Sequence, residues 1–145
     1  MKLLIQRVSE ASVTVESKTV ASISKGVLIL VGFDPLDSIE DINKLTKKLL
    51  SFKIFNDDRG RVGLSILEEK AEILIVPQVT LSVNTGKGNK PSFSQAAGPQ
   101  KGLKLFNLFK DHIKDSYREA EAGIFGANMS VKLVNEGPIT YWFES

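Results

Sequence analysis

Very few side chains in this sequence could act as a catalytic nucleophile or hold a metal ion. The chain has no cysteine, and His112 is its only histidine. A Ser-His-Asp triad, a Cys-His pair and a histidine-rich zinc site are therefore disfavoured. His112 falls inside a predicted helix beside its apolar stripe, which is typical of a structural histidine. An enzyme made from this chain is expected to rely on backbone dipoles, on its substrate, or on both.

One stretch that could supply such dipoles follows a buried-looking strand. Residues 77–81, Pro-Gln-Val-Thr-Leu, come directly after the apolar run that ends at Val76. They place backbone amides, the Gln78 carboxamide and the Thr80 hydroxyl where the strand ends. Backbone N–H groups in such a position can stabilise the negative charge of a tetrahedral intermediate. The alternative is that Thr80 is an ordinary strand residue.

A second candidate is the long polar stretch 84–102, which is rich in Gly, Pro, Ser, Asn and Lys. Connections of this length inside a compact domain are usually functional or disordered. The segment Lys87-Gly88-Asn89-Lys90-Pro91 has the composition of a loop whose lysines and backbone amides approach phosphates. Ser92 and Phe93 follow it directly. The alternative is a surface loop with incidental lysines.

A third candidate lies close to the C-terminus, where Asn135-Glu136-Gly137-Pro138-Ile139-Thr140 interrupts two apolar runs. The runs, 129–134 and 139–143, look like paired strands. Proline cannot donate a ladder hydrogen bond, so it is found at strand starts, edges or bulges. The simplest interpretation of the hexapeptide alone is a turn between two strands. A Gly-Pro bond can also be cis.

The pattern of apolar residues predicts the elements that position these candidates. The run from Val27 to Phe33 is typical of a strand covered on both faces. Apolar residues at helical spacing predict two helices, at about 38–52 and about 101–120, the first with Ser38 as its N-cap and Asp41 three residues later. The other predicted strands are residues 2–8, 11–15, 62–66, 71–76, 129–135 and 138–143.

Length and composition are those of one domain spanning residues 1–145, with 42% apolar residues to fill a core. Because the formal net charge is only +2, a polyanionic partner would need a local basic patch. The N-terminal residues form neither a signal peptide nor a membrane span, so a cytoplasmic location is expected. The Asp-rich turn at 56–60 lacks the ligand spacing of a calcium loop, and no calcium site is predicted.

Five motifs, in the same order along the chain, resemble those of the D-aminoacyl-tRNA deacylase (D-tyrosyl-tRNA(Tyr) deacylase) family. Together they cover essentially the whole sequence. The closing motif resembles the family's Asn-x-Gly-Pro-x-Thr pattern, and residues 78–81 resemble the end of its Ser-Gln-x-Thr-Leu pattern. The five motifs are Gln6-Arg7-Val8 with Ala11–Val15, then Gln78–Leu81, Pro91–Ser94, Phe125–Met129 and Leu133–Trp142.

The sequence departs from the family pattern at six positions. Pro77 stands where the family usually has Ser, which removes a hydroxyl and a backbone donor beside the expected pocket. The backbone amides of residues 78–80 are unaffected. The other five departures are Val79 for Phe, Lys90 for Arg, Ile124 for Arg, Asn128 for Asp and Glu136 for Asp.

The resemblance implies an α/β fold in which two β-sheets pack together with a helical layer, a β/β/α three-layer arrangement. It also implies a homodimer with active sites at the subunit interface. The reaction would be hydrolysis of the ester that joins a D-amino acid, or glycine, to tRNA, with assistance from the 2′-OH of the tRNA. The Gly137–Pro138 bond would be cis and would enter the partner's pocket as a gate that rejects L side chains.

The resemblance implies a role for each candidate residue. The implied catalytic residues are Gln78, Val79 and Thr80. The implied gate is Gly137 with Pro138, supported by Arg7, Asn135 and Thr140. The implied tRNA contacts are Lys87, Lys90, Ser92 and Phe93. No metal, cofactor, DNA or membrane partner is expected.

Two other classes of function remain open from the sequence. A tRNA-binding module without catalysis would bind tRNA in a salt-sensitive way and show no turnover. An editing partner of a synthetase would need that synthetase to act. Incubating the purified chain alone with D- and L-aminoacyl-tRNA distinguishes these possibilities.

Overall fold

Eleven helices and strands make up the fold of residues 1–84, 86 and 89–145, which the computed structural model describes. Short 3-10 turns at Val79–Ser82 and Phe93–Gln95 lie between β6 and α3. In chain order the elements are β1 (Lys2–Val15), β2 (Lys18–Ile23), β3 (Gly26–Gly32), α1 (Ile39–Ser51), β4 (Lys53–Asn56), β5 (Val62–Ser65), α2 (Ile66–Glu69), β6 (Glu72–Pro77), α3 (Pro99–Ser116), β7 (Glu121–Ala122) and β8 (Ser130–Glu144).

The long strand β1 connects most of the sheet. One edge of β1 pairs antiparallel with β3 along its first half and with β2 along its second half. Its other edge pairs antiparallel with β8 along almost its whole length. Strand β6 pairs parallel with β3, and β7 pairs parallel with β6. Strands β4 and β5 form a separate antiparallel hairpin.

Two hydrophobic cores separate three layers. Alternate residues of a strand point to opposite faces of its sheet, so Ile29 of β3 faces one core and Leu28 faces the other. The first core lies between the sheet and helices α1 and α3. The second lies between β3 and β6 on one side and β2 with the second half of β1 on the other. The predicted β/β/α three-layer arrangement is confirmed, and β1 and β8 run through both sheet layers.

Both predicted helices are present. Ser38 is the N-cap of α1, and its backbone N–H donates to the Asp41 carboxylate at 3.0 Å. Helix α3 begins at Pro99, a position where proline is well tolerated, and ends at Ser116, earlier than predicted. Tyr117 follows the helix, and its hydroxyl donates to the carbonyl of Ala71 at 3.1 Å. Within the described ranges, no helix has the length and apolar character needed to cross a membrane.

The interpretation of residues 135–140 as a turn between two paired strands is wrong. The two apolar runs belong to one strand, β8, and both pair with β1 rather than with each other. The Gly-Pro sequence does interrupt strand pairing, but the interruption is a bulge within one continuous strand. Three other strands were not predicted: β2 has a largely exposed surface, β4 directly follows the helical pattern of α1, and β7 has only two residues.

Candidate active site

The predicted gate forms a wide bulge in β8. Gln6 of β1 pairs with Thr140, and Val8 pairs with Asn135, so the four residues 136–139 lie opposite Arg7 alone. The Gly137–Pro138 peptide bond is cis. Gly137 has a φ of +135°, in a region that only glycine adopts readily.

Arg7 lies beneath the bulge with only 6% of its surface exposed. Its Nε donates to the backbone carbonyl of Glu136 at 3.1 Å. Its Nη1 donates to the carbonyl of Ile54 at 2.9 Å and to Asn56 Oδ1 at 3.2 Å. The Glu136 carboxylate lies 3.5 Å from Nε. A buried guanidinium needs such partners, and here they join the bulge to β4.

Asn135 and Thr140 close the base of the bulge. The Asn135 Oδ1 accepts a hydrogen bond from the backbone N–H of Ile139 at 2.9 Å. Its Nδ2 donates to Thr140 Oγ1 at 3.0 Å and to the Ile139 carbonyl at 3.3 Å. Gln6 Nε2 lies 3.4 Å from the same hydroxyl. These bonds replace the ladder contacts that the bulge interrupts.

The predicted catalytic residues lie where β6 ends. The backbone N–H of Gln78 donates to the Val31 carbonyl at 2.7 Å, which extends the ladder one residue past β6. The chain then makes the 3-10 turn, and Gln78 Nε2 donates to Thr80 Oγ1. The backbone N–H groups of Val79 and Thr80 have no acceptor within the described part of the chain. Two consecutive amides are therefore available to a ligand.

Gly32 determines how closely this turn packs on the sheet. A Cβ at Gly32 would lie 2.9 Å from Leu81 Cβ and 3.0 Å from both the Gln78 carbonyl oxygen and Ser82 Oγ. The turn therefore lies against the β3 backbone itself. Sequence reasoning missed Gly32, although a glycine inside the apolar run 27–33 is a signal of close backbone approach.

A cleft of ≈ 430 Å³ opens beside the strand end. Gln78 and Val79 line one side of it, and the segment from Phe125 to Met129 lines another. Two of the five family-like motifs therefore meet at one cleft. Pro77 is part of its wall, where the usual serine of the family would place a hydroxyl. Most of the lining side chains are apolar, and the polar groups are concentrated at Gln78 and Asn128.

The gate and the strand end lie at opposite ends of the sheet. Arg7 is level with Val27 on β3, whereas Gln78 hydrogen-bonds to Val31 and lies beside Gly32. The five residue steps from Val27 to Gly32 correspond to about 16 Å along the strand. Within the chain, the structure does not bring the gate together with Gln78, Val79 and Thr80.

The predicted tRNA-binding loop begins just after the 3-10 turn. Asn84 and Ser92 form a two-bond bridge, with N···O distances of 2.9 and 3.1 Å, that closes the base of the loop. Lys90, Ser92 and Phe93 are all exposed, and Lys87 lies outside the described residues.

His112 lies half-buried on α3 and does not line the cleft. In the ranges that the structure describes, no group of three His, Cys, Asp or Glu side chains is arranged to hold a metal ion.

Comparisons with known proteins identify the family. A sequence model described as D-Tyr-tRNA(Tyr) deacylase matches residues 4–144. The chain is 46% identical to a D-aminoacyl-tRNA deacylase of Bacteroides thetaiotaomicron, over 97% of this chain and 94% of that protein. It is 44% identical to a D-aminoacyl-tRNA deacylase of Flavobacterium psychrophilum, over 100% of this chain and 97% of that protein.

Two solved structures share the fold of this chain. The protein named c-Myc DNA Unwinding Element Binding Protein superimposes with a TM-score of 0.96 at 34% identity, covering 100% of this chain and 99% of that one. A probable eukaryotic D-amino acid tRNA deacylase has the same fold, with a TM-score of 0.86 at 21% identity, covering 98% and 97% of the two chains. The predicted resemblance is confirmed, and the chain belongs to the D-Tyr-tRNA(Tyr) deacylase family of enzymes.

Proposed function

We propose that this protein hydrolyses the ester bond of D-aminoacyl-tRNA, and that of glycyl-tRNA, to release free amino acid and tRNA. The observation that carries the proposal concerns the backbone N–H groups of Val79, which lines the cleft, and of its neighbour Thr80: neither has an acceptor among the described residues. The curated relatives named above are D-aminoacyl-tRNA deacylases, and this chain aligns with them over nearly its whole length.

The two amides would stabilise the charge that develops during the reaction. Attack on the ester carbonyl carbon by water converts the carbonyl oxygen into an oxyanion, which both N–H groups can bind. Collapse of this intermediate breaks the bond to the ribose oxygen, which takes a proton as it leaves. The 2′-OH of the terminal ribose would assist by orienting the water and relaying its proton. Losing one oxyanion donor generally costs about 10²–10³ in rate.

The gate would complete the cleft of a second copy of the chain. Its separation from the strand end of its own protomer, about five strand residues, supports this arrangement. Among the described residues, β8 pairs only with β1, which leaves the other edge of a 15-residue strand available. A two-fold homodimer would use the same surface twice and would place each gate in the partner's cleft.

A row of side chains on the sheet face leads from β8 towards the cleft. Trp142 pairs with Leu4, Leu4 pairs with Leu30, and Leu30 pairs with Val76. Trp142 is 46% exposed, Leu4 and Leu30 are half-buried, and Val76 lines the cleft. A partner subunit packed on this row would reach the cleft directly.

The proposed gate selects by steric rejection rather than by recognition of each side chain. Arg7 and Asn135 hold the backbone of residues 136–139 from both sides of the bulge. A rigid backbone facing the α-carbon of the substrate leaves room for a D-residue or for glycine and obstructs an L side chain. Such a gate would admit many D-amino acids.

The loop after the 3-10 turn would meet the acceptor end of tRNA. Lys87 and Lys90 would contact phosphates, and Ser92 with Phe93 would contact the terminal nucleotides. Phosphate contacts position a nucleic acid without reading its sequence, so binding is expected to be similar for different tRNAs. We expect no inhibition by duplex DNA, and we place the reaction in the cytoplasm.

The first experiment incubates the purified chain with D-tyrosyl-, L-tyrosyl- and glycyl-tRNA. We expect fast release of D-tyrosine and glycine and slow release of L-tyrosine. Equal rates for the D and L substrates would contradict the gate. Binding without turnover would favour a tRNA-binding module, and turnover only after addition of a synthetase would favour an editing partner.

The second experiment tests whether the gate acts on the partner subunit. Gly137→Ala damages the gate, and Gly32→Ala damages the strand end. If the gate acts in trans, a heterodimer of the two variant chains has one pocket with both lesions and one fully wild-type pocket. Activity should therefore reappear when the two weakened homodimers are allowed to exchange chains. No recovery, with exchange demonstrated by mass spectrometry, would place gate and strand end on the same subunit.

A further inference from the structure

The β4–β5 hairpin is hydrogen-bonded to Arg7, the side chain that also holds the gate. Two of the hydrogen bonds of Arg7 go to β4, to the carbonyl of Ile54 and to Asn56 Oδ1, and a third goes to the carbonyl of Glu136. The same Nη1 atom makes both bonds to β4, so both of its hydrogens are used. The guanidinium is planar and rigid, so fixing Nη1 also sets the direction of the Nε–H bond.

The other partners of Arg7 cannot set this direction by themselves. The Ile54 carbonyl holds only one hydrogen of Nη1 and leaves the guanidinium free to pivot about that bond. The Glu136 carboxylate lies on the bulge itself, with its side chain 46% exposed and 3.5 Å from Nε. Asn56 Oδ1 accepts the second hydrogen of Nη1, and like the Ile54 carbonyl it belongs to β4, outside the gate.

The turn that follows β4 fixes the position of Asn56. The Asp57 carboxylate accepts hydrogen bonds from the backbone N–H groups of Arg59 and Arg61 at 2.9 and 3.0 Å. The backbone N–H of Asp57 donates to the Arg61 carbonyl at 2.7 Å. Asn56 pairs with Val62 across the hairpin. The exposed Asn56 is thus adjacent to a turn with several internal hydrogen bonds.

We propose that Asn56 is a positioning residue for the gate: by holding Nη1 of Arg7 from β4, it orients the Nε–H that binds the Glu136 carbonyl. This inference rests on the proposed role of residues 136–139 as the gate. The β4–β5 hairpin does not line the cleft of its own protomer. Under this inference it nevertheless contributes to D-over-L selectivity.

The kinetic test compares Asn56→Ala with two matched variants. Asn56→Asp keeps an oxygen acceptor for Nη1, and Asp58→Ala changes an exposed residue of the same turn. We expect Asn56→Ala to lower the ratio of kcat/KM for D-tyrosyl- over L-tyrosyl-tRNA about tenfold, the effect of losing one hydrogen bond to a charged group. Asn56→Asp should restore the ratio, and Asp58→Ala should leave it at the wild-type value.

A double-mutant cycle tests whether Asn56 acts through Arg7. Arg7→Met keeps much of the aliphatic stem and removes the guanidinium. In that background Asn56→Ala should have no further effect on the D-to-L ratio, because contacting residues in one network are not additive. An equal tenfold effect in both backgrounds would overturn the inference.

A measurement without substrate separates this inference from the proposed function. Hydrogen exchange of the Arg7 Nε–H, followed by ¹⁵N NMR, reports the bond to Glu136 directly. We expect exchange about tenfold faster in Asn56→Ala than in wild type, Asn56→Asp or Asp58→Ala. Unchanged exchange in Asn56→Ala overturns the inference whatever the enzyme does. If exchange is faster in Asn56→Ala while the wild type hydrolyses no D-aminoacyl-tRNA, the proposed function fails and the positioning contact stands.

Discussion

The two ends of the sheet are built in different ways. At the gate, residues 136–139 leave the ladder, and side chains of Arg7 and Asn135 hold them by hydrogen bonds. At the strand end, Gln78 stays on the ladder and the following turn lies directly on the backbone of Gly32. The gate therefore depends on side-chain chemistry, and the strand end depends on the absence of a side chain.

This difference follows from what each end must present. A segment outside the ladder has lost its strand partners, and buried polar groups without partners are costly. Side chains must replace those partners at the gate. At the strand end, the backbone amides of Val79 and Thr80 have no acceptor in the described part of the chain, and close packing on Gly32 supports the turn from behind. Substitutions that add volume and substitutions that remove polar groups should thus affect the two ends differently.

Gly137→Ala should have the largest effect on activity. Its Cβ would lie 2.8 Å from Ile139 Cγ1, 2.9 Å from the Ile139 backbone nitrogen and 3.3 Å from Arg7 Nη2, at a φ of +135°. The bulge must shift, and a displacement of about 1 Å near reacting atoms can cost 10²-fold. We expect a loss of this size in kcat/KM for D-tyrosyl-tRNA. Gly98→Ala, where a Cβ meets nothing within 4 Å, is the control and should be close to wild type.

Gly32→Ala should have a smaller effect at the other end. A Cβ there meets the Gln78 carbonyl oxygen and Ser82 Oγ at 3.0 Å, so the turn has to move by a few tenths of an ångström. We expect kcat/KM for D-tyrosyl-tRNA to fall about tenfold through displaced amides, with the D-to-L ratio nearly unchanged. A large drop in that ratio would show that the strand end also takes part in selection, and the two ends would not be separable.

Thr80→Ala should retain most of the activity. The proposed oxyanion donor is the backbone N–H of residue 80, which alanine keeps, whereas the hydroxyl only accepts a hydrogen bond from Gln78. Steady-state hydrolysis of D-tyrosyl-tRNA measures the effect, with the fold and the association state checked in parallel. Complete loss of activity would point to the hydroxyl as a nucleophile, and an acyl-enzyme should then be trapped on Thr80.

The smallest expected effect concerns an ion pair near the strand end. Lys2 Nζ lies 2.7 and 2.6 Å from the two carboxylate oxygens of Asp34. Burial alone would raise the pKa of Asp34, but the hydrogen bonds, chiefly that from Lys2, outweigh it and lower the pKa below 3.8. The stabilisation is therefore present above pH of about 3.8 and is lost as pH falls through the lower folded-state pKa.

Asp34→Asn should lower the free energy of unfolding at pH 7 by about 1 kcal/mol or less. Urea denaturation at pH 7 and near pH 3 gives the comparison. The difference between wild type and variant should shrink at the lower pH, because protonation removes the same charge from the wild type. A difference that is independent of pH would mean that the carboxylate charge contributes nothing to stability.

Much of the fold could be predicted from local patterns. The capping of α1 at Ser38 and the strand 27–33, buried on both faces, followed from the chemistry and spacing of neighbouring residues. The motifs also led to the correct family. The misreading of 135–140 had a physical cause: Gly-Pro interrupts strand hydrogen bonding in a turn and in a bulge alike. Only the partner strand distinguishes the two.

By itself, the sequence determined where most of the major strands and helices lie, because apolar periodicity is set by the geometry of each element. It also determined the absence of any thiol and the presence of one histidine. The tertiary structure alone decided that four residues of β8 face Arg7, that Asn56 holds the same guanidinium and that Gly32 supports the 3-10 turn. These contacts depend on the register between segments that are distant in sequence. That register cannot be inferred from the residues that neighbour a side chain in the sequence.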